Sequence, residues 1–168
     1  MIDRNGGGIL KIFLTGPKGV GKTTIVLKVM MSFDKVAGFF TKKLRNGVLF
    51  IPIGKKEEFF IGIMTKNGII PYMRGFEKAV EFLKNLRFDE ETLLVMDELG
   101  FLERRLEPFL ESVERSVLKA ERVLGVVRED SLSFFPFLKR EDLMIMKVNC
   151  ENREHLPEKV LKMLRGSI

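Results

Sequence analysis

Residues 16–23 read Gly16-Pro17-Lys18-Gly19-Val20-Gly21-Lys22-Thr23, which fits G-x-x-x-x-G-K-[ST] in full. Glycines at that spacing let successive backbone N–H groups turn toward one point, and a concavity lined with amides binds phosphate oxygens. The loop, with Thr24 after it, is therefore the candidate nucleotide-binding segment. Lys22 is placed to bridge the terminal phosphates of a nucleoside triphosphate, and the Thr23 hydroxyl to ligate Mg²⁺.

A second group of residues supplies what the first lacks. Leu93-Leu94-Val95-Met96 is an apolar run that ends in Asp97-Glu98. Asp97 is the candidate Mg²⁺ ligand, acting through the ion's water shell. Glu98 is the candidate base that orients and deprotonates an attacking water. An apolar run followed by two acids is common in proteins, and only its combination with a complete phosphate loop points to triphosphate hydrolysis.

For these groups to meet, strands must deliver them to one edge of a sheet. Ile9–Thr15 reads as a strand, Gly16–Gly21 as a turn, and a helix runs from about Gly21 to Phe33, its N-terminus adding positive potential at the loop. Lys35–Phe40 reads as a second strand. From about 45 to 71 short β runs (Val48–Ile53, Glu58–Ile63, Ile69–Pro71) are punctuated by Asn46-Gly47, Ile53-Gly54 and Asn67-Gly68, the pattern of an antiparallel excursion. Helices are expected over Phe76–Leu86, Glu103–Lys119 and Arg153–Arg165, with Asn152 suited to cap the last. Thr92–Met96, Arg122–Val127 and Leu143–Val148 read as buried parallel strands. Residues 1–168 are thus expected to form a single three-layer α/β domain, with a mainly parallel sheet of about five strands plus the excursion.

The composition narrows the setting. At 45% hydrophobic and 31% charged, the chain is of ordinary globular type. One cysteine, Cys150, excludes an intrachain disulfide, and no apolar run approaches the length of a membrane span, so a soluble cytoplasmic protein is expected. The absence of Gln and Trp, with abundant Glu and Lys, is a bias found in proteins of hot environments. The net charge of +6 is concentrated between Lys35 and Lys56, where Lys35, Lys42, Lys43, Arg45, Lys55 and Lys56 occur with no acid. Such a stripe can attract nucleic acid. No aromatic ladder accompanies it, and a solvated face is the favoured reading.

Several further residues carry weaker signals. An arginine often neutralises charge in phosphoryl transfer. Arg74, Arg104, Arg105 and Arg128 are the candidates, and Arg128, at a predicted strand C-terminus, is best placed. His155 is expected at a helix start on the surface, and Cys150 as a buried, inert thiol. Phe134-Phe135-Pro136-Phe137 is expected to plug the core beneath the sheet edge.

Four segments together resemble a specific family: Ile12–Lys28 (IFLTGPKGVGKTTIVLK), Gly38–Thr41 (GFFT), Val95–Glu103 (VMDELGFLE) and Asn152–Pro157 (NREHLP). The chain is similar to the small thermostable nucleoside-triphosphatases of archaea and bacteria, whose human relative is called cancer-related nucleoside-triphosphatase. The resemblance implies a P-loop NTPase with a RecA-like sheet, Mg²⁺-dependent hydrolysis of ATP, GTP and other triphosphates with loose base selectivity, and a monomer. It also implies an acid at Glu103, and Asn152-Arg153 near the base and ribose. The sequence departs from the family pattern in two places. Lys43 stands where the family usually has an acid after the Thr of the second strand. Gly125-Val126-Val127-Arg128 replaces a usual Thr and His, and Arg128 is then a candidate sensor of the γ-phosphate.

Two other functions fit the same residues. A nucleoside, nucleotide or small-molecule kinase also pairs a phosphate loop with a short chain, although the second strand here ends without the acid such enzymes often place there. An NTP-dependent RNA-binding switch would use the Lys35–Lys56 stripe.

Overall fold

The computed structural model describes residues 11–100, 102 and 106–166. Within them, β1 (Lys11–Thr15), α1 (Lys22–Met30), β2 (Val36–Leu44), β3 (Gly47–Pro52), β4 (Phe59–Thr65), β5 (Gly68–Pro71), α2 (Met73–Asn85), β6 (Leu93–Leu99), α3 (Glu107–Lys119), β7 (Arg122–Val127), β8 (Leu143–Lys147) and α4 (Leu156–Leu164) follow in order. Two short 3₁₀ segments, Glu129–Phe134 and Pro136–Lys139, link β7 to β8.

All eight strands form one sheet in the order β5-β4-β3-β2-β6-β7-β1-β8. The five strands from β2 to β8 in that order are parallel to their neighbours, as expected for a RecA-like core, while β3, β4 and β5 are antiparallel additions beyond β2. The excursion is therefore no separate flap. It extends the main sheet, because β2 runs on to Leu44 and turns back at Asn46 into β3.

Alternation along the strands builds the three layers. Ile12, Leu14, Leu93, Val95, Leu124 and Val126 face α1 and α4, and Phe13, Leu94, Met96, Val123 and Val127 face α2 and α3. Phe135 and Phe137 enter the second core, Phe137 edge-on to Phe13 with centroids 5.8 Å apart. The plug expected from that segment is present, with Phe134 alone of the three half-exposed.

Two expectations near the C-terminus are corrected. Cys150 is exposed. The last helix begins at Leu156, and His155, not Asn152, occupies its N-cap. Asn149 and Asn152 side chains instead fold an extra turn after β8: Asn149 Oδ1 accepts from the amides of Glu151 and Asn152, and Asn152 Oδ1 from the amide of Asn149. That turn lifts Cys150 out of the core. No described helix is long and apolar enough to cross a membrane.

Candidate active site

The phosphate loop joins the C-terminal end of β1 to α1 and is folded by its glycines. Gly16 adopts φ +135° against the Val148 carbonyl, where a Cβ would collide, so the loop's entry is pressed onto the strand end beside it. Val20 sends its side chain into the core and its amide to the Pro17 carbonyl, 3.4 Å away. The amides of Gly19, Gly21, Lys22 and Thr23 have no acceptor among the described residues. They lie at the start of α1, where the helix dipole adds to their pull on an anion.

Lys22 is buried, and its Nζ donates to the carbonyl oxygens of Gly16 and Pro17, both at 2.7 Å. Those contacts hold the ammonium at the mouth of the loop, within reach of a phosphate seated on the amides.

The strand carrying the acids runs three positions beyond Met96. Asp97 is still paired in β6, and the register breaks between it and Leu99, so that Glu98 interrupts the ladder with β7. The Asp97–Glu98 peptide is cis. Asp97 is 2% exposed and accepts a hydrogen bond from Thr23 Oγ1 at 3.0 Å through its Oδ2. Its Oδ1 is buried without a hydrogen-bond partner among the described residues. Burial pushes its pKa up to about 6, with the neighbouring Glu98 adding to the rise, against the opposing effects of the Thr23 hydrogen bond and Lys22.

These donors fit Mg²⁺. Thr23 and Asp97 supply hard oxygens at contact distance from each other, and the orphaned Oδ1 has an unmet need for a cation or proton. Among the described residues no three His, Cys, Asp or Glu converge.

A cleft of about 630 Å³ opens beside them, bounded by Gly16, Pro17, Lys18 and Lys22 on one side and by Glu98 and Arg128 across from the loop. Sequence reasoning overlooked one residue in it. The Thr41 hydroxyl donates to the Glu98 carbonyl and accepts from the Glu98 amide, each at 3.3 Å, pinning the backbone of the candidate base from the adjacent strand. Thr41 belongs to a quoted segment of the resemblance, but a lone threonine in a strand has no spacing that announces a contact.

Arg128 reaches the cleft from the end of β7, where its guanidinium bonds both carboxylate oxygens of Asp130 (3.2 and 3.0 Å) and holds that carboxyl below its usual range. Asn152 and Arg153 lie elsewhere, in the turn after β8, on the far side of the loop from Glu98. Asn152 Nδ2 donates to the Lys147 carbonyl, and Arg153 pairs with Glu154 at 3.4 Å. Thr24 is exposed on α1 and Arg74 at the start of α2. Glu103, Arg104 and Arg105 fall outside the described residues. The basic stripe is divided. Lys35 bonds Asp89 and Glu91 (2.6 and 2.8 Å) at one end of β2, and Lys43 lies at the other, eight residues or about 26 Å along the strand.

A family model described as NTPase matches residues 11–59 and 60–161. The chain belongs to that NTPase family. Curated relatives of this nucleoside-triphosphatase family include the nucleoside-triphosphatase THEP1 of Thermotoga maritima, 30% identical over 93% of this chain and 96% of that protein. The protein of the same name from Archaeoglobus fulgidus is 29% identical over 94% of this chain and 100% of its own length. The solution structure of a human cancer-related nucleoside triphosphatase superposes with a TM-score of 0.75 at 22% identity, covering 94% of this chain and 98% of that one. The crystal structure of THEP1 from Aquifex aeolicus does so with 0.69 at 20% identity, covering 92% and 98%. This chain is accordingly a nucleoside-triphosphatase, and its fold is that of the P-loop NTPases of the family.

Proposed function

We propose that the protein hydrolyses ATP, GTP and other nucleoside triphosphates to the diphosphate and phosphate with Mg²⁺ as cofactor, working as a monomer. The observation that carries this reading is the Thr23–Asp97 pair, with its orphaned carboxylate oxygen, beside Glu98 and Lys22. The free amides at the start of α1 receive the β-phosphate, and Lys22 leaves its carbonyl contacts to meet the β- and γ-oxygens. Thr23 and Asp97 would hold Mg²⁺, which would supply charge neutralisation to the phosphates. Glu98, its backbone pinned by Thr41, takes the proton from a water in line with the γ-phosphorus. Arg128 exchanges Asp130 for the γ-phosphate as charge develops there.

Broad base selectivity is part of the proposal. Its support is the placement of Asn152 and Arg153 beside the loop's entry, where a base would meet an exposed turn. Phosphate release from ATP, GTP, CTP and UTP, with Mg²⁺ or with excess chelator, tests the reading. Release from all four within about tenfold of one another, lost on chelation, is expected. Release that persists in chelator would overturn the cation's role, and strict dependence on one base would overturn the selectivity.

A further inference from the structure

The cleft continues well past the point where hydrolysis needs it. A water at Glu98 requires a few ångströms, yet the walls run on through Thr41 and Lys43 of β2, Val48 of β3, Ile69 of β5 and Leu102. In the sheet order, β3 lies two strands beyond β6 and four beyond β1, so at about 4.8 Å per strand Val48 is displaced by roughly 10 Å from Glu98's strand and 19 Å from the loop's. A triphosphate seated on the loop presents its γ end to Lys22 and Glu98. Its nucleoside trails away from the chamber beyond Glu98.

That outer chamber has a definite chemistry. Val48, Ile69 and Leu102 converge over Gly62: a Cβ there would lie 2.9 Å from Ile69 Cγ2 and Leu102 Cδ1 and 3.4 Å from Val48 Cβ, so the glycine lets the three close over the strand as one apolar wall of the cleft. Lys43 is directly opposite Val48 in the β2–β3 register and therefore shares its face. It is exposed and has no ion-pair partner among the described residues. An aliphatic wall with Lys43 at its rim thus lines the same cleft as the Glu98 carboxylate.

We infer that the outer half of the cleft binds a phosphoryl acceptor, a small alcohol that carries one anionic group for Lys43 and an apolar face for Val48, Ile69 and Leu102. The inference rests on the hydrolase reading of the same site, since the acceptor replaces the attacking water. The acceptor's hydroxyl oxygen bonds to the γ-phosphorus, and the bond from that phosphorus to the β–γ bridging oxygen breaks. The diphosphate leaves with the bonding pair, and the hydroxyl proton passes to the Glu98 carboxylate. Water remains the default acceptor when the chamber holds none, and Lys43, in place of an acid, sets the charge of the molecule that enters.

The test follows the label from γ-labelled ATP in the full-length protein with Mg²⁺, offering matched anionic and neutral alcohols: ribose 5-phosphate against ribose, uridine 5′-monophosphate against uridine, and 3-hydroxybutyrate against 1,3-butanediol. The inference predicts label in an anionic member and none in its neutral partner. It also predicts that Lys43→Glu lowers the ratio of transfer to hydrolysis at least tenfold, while Lys43→Arg keeps it within about threefold. Inorganic phosphate as the sole labelled product in every pair, label in neutral partners, or a ratio unmoved by Lys43→Glu would each overturn it while leaving the hydrolase reading intact. A protein that releases label to neither water nor alcohol would contradict both.

Discussion

The two halves of the cleft are built on different principles. Around the phosphate loop the groups are mutually constrained, with Lys22 and Asp97 buried: Lys22 is tied to two carbonyls, Thr23 to Asp97, and the backbone of Glu98 to Thr41. Beyond Glu98, on the antiparallel strands, Lys43 is exposed and Val48 and Ile69 are only partly covered. The parallel strands end in a largely preorganised electrostatic site, in which Lys22 and Arg128 exchange their present partners in the proposed reaction. The added strands supply an adjustable wall, where substitution changes what is admitted more than what is done.

Breaking the preorganised half has the larger consequences. Lys22→Ala removes the charge at the phosphates, and an effect of about 10²–10³-fold on turnover is expected, together with weaker nucleotide binding by titration calorimetry. The same change in the outer wall, Lys43→Ala, has no comparable effect on phosphate release, and equal losses at the two lysines would erase the distinction.

Asp97→Asn sharpens the contrast between function and stability. The folded pKa of about 6 lies above the unfolded value near 3.8, so without metal the folded state holds its proton more tightly. Stability from this group is complete below pH 4, declines as pH rises to about 6, and is flat above. In metal-free buffer at pH 7.5 the Asn variant is expected to melt higher, by about 2–4 °C for each kcal/mol relieved, while losing turnover. A lower melting temperature would show that the carboxylate's burial is compensated.

Thr41→Val removes the clamp on Glu98, and a fall in kcat of about tenfold with little change in nucleotide affinity is expected. Thr41→Ser, which keeps the hydroxyl, should restore most of it. The smallest effect is anticipated at the far end of β2. Lys35→Met breaks the exposed pair with Asp89 and Glu91 and is expected to lower the melting temperature by no more than about 1–2 °C, with phosphate release unchanged.

The legibility of the two halves in the sequence differs for a physical reason. The loop and the Asp-Glu pair are read from spacing, because amides, lysine, hydroxyl and carboxylates must converge on one phosphate chain. The inner parallel strands β1, β6 and β7 are read from apolar runs, because both faces are buried. The Thr41–Glu98 contact joins residues 57 positions apart and needs only a hydroxyl, so nothing local marks it. The terminal turn is hidden for a similar reason: Asn152 has the right chemistry to cap a helix, but its partner is the Asn149 amide, and the competing side-chain turn delays the helix to Leu156. Likewise β6 passes through Asp97 because pairing with β7 outweighs the polar signal that suggests an end.

The central claim is that Glu98 activates the attacking nucleophile from a position fixed by β6 and Thr41. It is tested most directly by Glu98→Gln, which keeps shape and removes the base. Measured side by side, nucleotide affinity should stay within a fewfold of the parent while steady-state phosphate release falls by at least about 10²-fold. Phosphate release near the parent rate with affinity intact would contradict the account.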